Sequence, residues 1–146
     1  LAHPQGSIHF ELELPEGPPI LALADPGQLR RVVENLTDNA LRHGGRPSVR
    51  LRFSLARSQA KDGGRVLARI EDDGRGVPEA DFERIFERFR RLDAGRSGGG
   101  SGLGLAIARK LVEANGGTIR AFASSLGGLG IEIALAVPKT GPETKI

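Results

Sequence analysis

The chain has 146 residues, 38% of them apolar and 27% charged, which suits one globular domain. It has no cysteine, which excludes disulfides and thiolate chemistry; no apolar run approaches the ~20 residues of a membrane span, and His3, His9 and His43 lack metal-ligand spacing. The net charge of +3 raises nucleic acid as a partner, but aromatic residues make up 4%, all phenylalanine, and that argues against it.

Residues 7–14 (SIHFELEL) alternate, and the period of two predicts a half-buried strand with Ile8, Phe10, Leu12 and Leu14 inward and His9, Glu11 and Glu13 opposite. Pro15-Glu16-Gly17-Pro18-Pro19 makes a turn, and residues 20–24 read as a short apolar strand. A helix start follows: Asp25 can accept a first-turn amide, Pro26 suits the first helical position, and Gln28 completes a capping-box-like pattern. Over residues 29–44, Leu29, Val32, Val33, Leu36 and Ala40 recur at helical spacing and predict a buried stripe. At about 100° per residue, Asn35, Asn39 and Arg42 fall on a second stripe beside it, with His43 at the shared edge and Glu34 and Asp38 turned to solvent. Gly44-Gly45, with Pro47 behind, stops this helix.

Residues 48–55 alternate again, with Val49, Leu51, Phe53 and Leu55 inward. Residues 65–72 return with Val66, Ala68 and Ile70 inward, predicting a hairpin whose polar loop, residues 58–64, is its tip. Period two puts Asp72 on the Ile70 face, so a carboxylate ends the buried side of a strand. Such a group needs a donor: a ligand amine could supply one, and so could a turn or helix cap. Residues 78–89 predict a short helix with Phe82, Ile85, Phe86 and Phe89 on one side.

Residues 90–102 (RRLDAGRSGGGSG) form a glycine-rich loop carrying cations. Arg84, Arg88, Arg90, Arg91 and Arg96 lie within one short segment that runs into this loop, a density that suits a polyphosphate better than a long duplex. The loop opens residues 103–115 (LGLAIARKLVEAN), an apolar helix whose free amides at the positive dipole end offer an anion site; an ordinary linker is the plainer alternative. Gly116-Gly117 caps this helix, and residues 118–123 and 131–137 form a closing hairpin around a tight turn at residues 126–130. One domain is expected over residues 1–139, with residues 140–146 a loose tail.

The common phosphate-binding fingerprints are missing. No G-x-x-x-x-G-K-[ST] occurs, and no G-x-G-x-x-G, because Glu79 follows Gly74 and Gly76 at the third position and Leu105 follows Gly100 and Gly102. Instead, residues 34–40 (ENLTDNA), 72–78 (DDGRGVP), 85–91 (IFERFRR) and 100–105 (GSGLGL) occur in order and at family-like spacing. These resemble the N box, first glycine box, F box and second glycine box of the ATP-binding catalytic domain of bacterial sensor histidine kinases. That family belongs to the wider group with DNA gyrase, Hsp90 and MutL.

The resemblance implies a fold and a set of roles. The fold is α/β (α+β): a two-layer sandwich of a mixed, mostly antiparallel sheet of about five strands with three helices on one face, the Bergerat ATP-binding fold. Asn39 would hold Mg2+ through its side-chain oxygen, and Asn35 would lie beside the phosphates and metal. Arg42 takes the place of a basic phosphate contact, and His43 a position that is often tyrosine or histidine. Asp72 would accept the exocyclic amine of adenine, with Gly74 and Gly76 letting backbone approach the base and Val77 among the ATP-binding residues. Arg91 would contact the terminal phosphate, with Arg96 as helper. Gly100, Gly102, Leu103, Gly104 and Leu105 would open the phosphate loop and helix. Asn35 and Arg91 are the catalytic candidates, and ATP and Mg2+ the implied substrate and cofactor.

There are departures. Arg90 stands where the family usually has tyrosine. Asn35 occupies the place of a catalytic glutamate in ATP-hydrolysing relatives, and Glu34 is turned ~100° from the site. Phosphoryl transfer to a partner is therefore expected over efficient hydrolysis. None of the three histidines lies in an H-E-x-x-P-like acceptor box, so the acceptor is expected on a separate dimerisation domain upstream, the chain being a piece of a longer cytoplasmic or membrane-anchored sensor. The response regulator would be reached through that domain; the piece itself would be monomeric and the whole kinase a homodimer. A serine kinase of the anti-sigma-factor type and a nucleotide-sensing module without transfer are the alternatives.

Overall fold

The computed structural model describes residues 7–43, 48–59, 64–88 and 103–139. They form β1 (Ile8–Glu13), α1 (Pro26–His43), β2 (Val49–Ser58), β3 (Arg65–Asp72), two 3-10 turns (Glu79–Asp81 and Arg84–Phe86), α2 (Gly104–Ala114), β4 (Thr118–Ala123) and β5 (Leu129–Ala136). The strands make one mixed sheet in the order β1-β2-β3-β5-β4, in which only the β1–β2 pair is parallel. A parallel pair needs a crossover, and α1 supplies it.

Helix α1 begins as its sequence dictates. The Gln28 amide donates to Asp25 Oδ1 at 2.8 Å and the Leu29 amide to the Asp25 carbonyl at 2.9 Å. Val32, Leu36 and Ala40 are buried, Leu29 packs on the core, and Glu34 and Asp38 are exposed. Val33, expected in the stripe, is 37% exposed, because the burying face is narrower than its sequence neighbours suggest. Helix α2 ends in a Schellman motif: Gly116 has φ +74°, its amide donates to the Glu113 carbonyl, and the Gly117 amide donates to the Val112 carbonyl.

The main core lies between the helices and the sheet. Val32 and Leu36 of α1 and Ala108 and Val112 of α2 meet Ile70 of β3 and Ile131, Ile133 and Leu135 of β5. A second cluster, Ala40 with Val49 and Leu51, closes the end of α1 onto β2. The opposite sheet face is a ladder of charges. Glu132 of β5 accepts Arg69 Nε at 2.6 Å and Arg120 Nε at 2.8 Å, and both guanidinium groups lie over the Phe122 ring.

Three expectations are corrected. Ile8, Phe10, Leu12 and Leu14 are 48%, 62%, 69% and 57% exposed instead of buried: β1 is an edge strand, and the helices cover the central strands. Phe10 still meets the Phe53 ring at 6.1 Å. Residues 20–24 form no strand. Ala22 and Ala24 pack on the core, and Leu23 makes one ladder-like bond, to the carbonyl of Ala136 at the end of β5, where the chain crosses the sheet. In place of the third helix expected over residues 78–89, residues 78–88 form two 3-10 turns, closed by i to i+3 bonds such as Asp81 to Pro78 at 2.8 Å and Glu87 to Arg84 at 3.0 Å, and Phe89 lies outside the described residues. Three residues per turn align Phe82 with Ile85, which bury the same face the longer helix would have buried. The closing hairpin also differs slightly, with β5 starting two residues early and the turn at residues 124–128.

Candidate functional site

Asp72 is the last residue of β3 and 7% exposed. It shares the helix-facing side with Ile70, and its register partner is Leu51, which packs beneath Ala40 of α1. The aspartate therefore sits at the level of the second half of α1. Its Oδ1 accepts two amides, from Gly74 at 2.9 Å and Leu129 at 3.1 Å, while its carbonyl accepts the Gly128 amide at 3.1 Å. Asp73 is turned away and accepts the Arg50 amide at 2.9 Å. The buried carboxylate predicted from the alternation is thus real, and the turn-cap alternative also holds: one oxygen fastens its own loop.

The first glycine box folds over this carboxylate. Gly76 adopts φ +68°, and a β-carbon there would touch Gly128 at 3.4 Å, so two glycines pack face to face beside Asp72. Gly74 is buried, and Val77 packs on the main core.

Asn35 and Asn39 are half-buried on α1, as expected for a stripe bordering the core, and Arg42 is exposed. His43 is the last residue of α1. Asn35 Nδ2 is buried and has no hydrogen-bond partner among the described residues. An orphaned buried donor costs free energy unless a ligand satisfies it. The backbone carbonyl of Asn35 lies 4.0 Å from where a β-carbon on Gly104 would stand, so the start of α2 abuts this turn of α1. Leu103, half-buried, precedes α2, and no side chain among the described residues caps that helix start. Leu105 anchors the helix on the core. The turn of α1 that carries the orphan amide and the start of α2 therefore adjoin, as a site for an anion requires.

The F-box segment is held to α2 by Arg109. Its guanidinium lies over the Phe86 ring at 5.6 Å and meets Glu113 at 3.1 Å and Glu83 at 3.2 Å. Hydrogen bonding to Glu113 outweighs desolvation and, with Glu83, raises the Arg109 pKa above its usual value. Arg90, Arg91, Arg96, Gly100 and Gly102 lie outside the described residues.

Sequence reasoning missed the amides of Gly128 and Leu129, which reach Asp72 from 57 residues away for the hydrogen bond from Leu129. The Gly127-Gly128 pair was a visible turn signal, but not a sign of what the turn would touch. Among the described residues no cluster of three or more His, Cys, Asp or Glu is arranged to hold a metal, and no helix is long and apolar enough to cross a membrane.

Residues 24–141 match the family described as "Histidine kinase-, DNA gyrase B-, and HSP90-like ATPase". The chain is 42% identical over 122 residues to sensor protein KdpD of Mycobacterium tuberculosis, a match covering 84% of this chain and 14% of KdpD. It thus spans about a seventh of that relative's length. Among solved structures it is similar to the mycobacterial sensor histidine kinase MprB, with 35% identity, a TM-score of 0.74, and coverage of 88% of this chain and 82% of that one. Full-length ShkA in complex with AMPPNP matches with 30% identity and a TM-score of 0.70, covering 90% of this chain and 26% of ShkA. The four motifs, the mixed five-stranded sheet under its helices and these likenesses agree: the chain belongs to the histidine kinase-, DNA gyrase B- and HSP90-like ATPase family, as an ATP-binding domain of the sensor histidine kinase type.

Proposed function

We propose that this chain, as one nucleotide-binding unit over residues 1–139, binds Mg-ATP and presents the γ-phosphoryl group to a histidine on a separate dimerisation and phosphoacceptor domain. The observation that carries the reading is Asp72, a 7%-exposed carboxylate ending the buried side of β3 at the level of the asparagine turns of α1. In that place it would read the adenine amine. Asn35 would donate its orphaned amide to the phosphate region, and the first turn of α2 would receive phosphate at its open amides. Arg42, His43, Arg91 and Arg96 would add contacts around the polyphosphate.

The residues fit magnesium of the kind held mainly by its nucleotide. Mg2+ takes few protein ligands and shares phosphate oxygens and water, and the Asn39 side-chain oxygen is a suitable single ligand where no acidic cluster exists among the described residues. Bound there, the ion would neutralise phosphate charge. Glu34 is exposed on α1, away from this border, which supports transfer to a partner over hydrolysis. The whole protein would then be a homodimeric two-component sensor kinase passing phosphate to a response regulator.

Calorimetric titration with ATP, in magnesium and in EDTA, tests the site on wild type, Asp72→Asn and Asn39→Ala. Wild type should bind, Asp72→Asn should abolish binding, and Asn39→Ala should erase the magnesium dependence. Binding that survives Asp72→Asn unchanged would sink the assignment. Transfer to a serine of a small acceptor protein would favour the anti-sigma type.

A further inference from the structure

We propose that Glu71 is a positioning residue for nucleotide recognition, holding the turn that orients Asp72; the inference rests on the reading of Asp72 given above. Consecutive residues of a strand point to opposite faces, so Glu71 lies on the charged side of the sheet while Asp72 faces the helices. Glu71 is nonetheless 7% exposed. Its Oε1 accepts three donors from one short segment: Ser124 Oγ at 3.2 Å, the Ser125 amide at 3.2 Å and Ser125 Oγ at 3.3 Å. Arg52, opposite Glu71 in the β2–β3 register, adds Nη1 to Ser125 Oγ at 3.3 Å.

That segment is the near end of the turn whose far end grips Asp72. The turn is braced internally by Ser124 N to the Gly128 carbonyl at 2.9 Å, Gly127 N to the Ser124 carbonyl at 3.0 Å and Leu126 N to Ser124 Oγ at 3.0 Å. Gly128 and Leu129 then deliver their amides to the Asp72 carbonyl and Oδ1. Six residues, 124–129, thus connect two adjacent carboxylates on opposite faces of the sheet. The Glu71 end fixes the turn, and the turn fixes the rotation of the Asp72 carboxyl plane. A reading group must be held within a fraction of an ångström by residues that do not touch the ligand, and Glu71 fills that place.

The consequence is specific to the amine that Asp72 reads. Without the Glu71 acceptor, the Ser125 amide and Ser124 hydroxyl lose their partner, and the Leu129 amide is free to leave Oδ1. Recognition of the exocyclic amine should weaken while phosphate binding at α1 and α2 persists. Glutamine retains an acceptor oxygen at the same reach and should rescue.

The test compares ATP with purine riboside triphosphate, which lacks the amine, in magnesium, on wild type, Glu71→Ala and Glu71→Gln. Glu71→Ala should lose about tenfold in ATP affinity, the weight of one good hydrogen bond, and change the amine-free analogue by less than about twofold. Glu71→Gln should stay within about threefold of wild type for both, and the amide resonances of Gly128 and Leu129 should move only in Glu71→Ala. Should Glu71→Ala fail to fold, Ser124→Ala carries the comparison in the same direction. Equal loss for both nucleotides, or none for either, overturns the proposal while leaving the nucleotide site intact. Failure of wild type to prefer ATP over the analogue overturns it by removing the role of Asp72 itself.

Discussion

Gly128 stands so close to Asp72 that no side chain fits between them. An ideal β-carbon on Gly128 would run into Asp72 Oδ1 and come within 2.6 Å of both the Asp72 carbonyl oxygen and the Gly74 amide nitrogen. Two of these obstacles are backbone, which cannot swing aside. Gly128→Ala is expected to push the turn off Asp72, costing about 1–3 kcal/mol as an overpacked site does, and to remove ATP binding. Gly127→Ala is the control: its φ of +102° strains any side chain, but nothing lies within 4 Å of the added carbon. It should lose stability and retain binding. Urea unfolding paired with an ATP titration separates the two, and normal ATP affinity in Gly128→Ala would show that the turn need not touch Asp72.

Asn115, just beyond α2, ties the end of that helix to the start of α1. Its Oδ1 accepts the Asp25 amide at 2.8 Å, and its Nδ2 donates to Gln28 Oε1 at 2.8 Å and to the Leu111 carbonyl at 2.7 Å. Asn115→Ala leaves the exposed Asp25 amide and Gln28 side chain to water, while the Leu111 carbonyl keeps the Asn115 backbone amide at 3.2 Å, and the variant should be less stable by about 0.5–1.5 kcal/mol. The site lies at the other end of α2, 11 residues or roughly 16 Å away. ATP affinity at a temperature where the variant is folded should therefore match wild type. A large loss of affinity would mean that helix placement at this end is transmitted to Asn35 and Gly104.

The local signals of the chain were legible where burial and periodicity coincide. Asp25, Pro26 and Gln28 start α1 as their types require, and the period of two carried Asp72 to the buried side of β3. The same period misled at Phe10 and Leu12: alternation states which residues share a face, not whether a second layer covers it. Residues 20–24 are apolar, but β5 is already paired on both sides along most of its length, so only Leu23 finds a carbonyl. The contacts on Asp72 were hidden for another reason. Gly128, Leu129 and Glu71 act through sequence separations that only the closed sheet brings together.

Glu132 gives the acid limb of stability its sign. Burial, with the side chain 9% exposed, by itself raises the carboxyl pKa, but the hydrogen bonds from Arg120 and Arg69 more than offset it, and the group is held below its usual value. The unfolded chain therefore binds this proton more readily than the folded one. The stabilisation is complete above the ordinary glutamate range near pH ~4.3 and is lost as pH falls through the lower folded value. Glu132→Gln should be less stable than wild type at neutral pH, because two arginines lose their shared carboxylate across the Phe122 ring. Below that range its urea midpoint should fall less steeply with pH than that of wild type, so the two curves converge. Parallel curves would show that the arginines find other partners. ATP affinity at pH 7 should be the same in both, since this clamp is on the sheet face turned away from the helices and from Asp72.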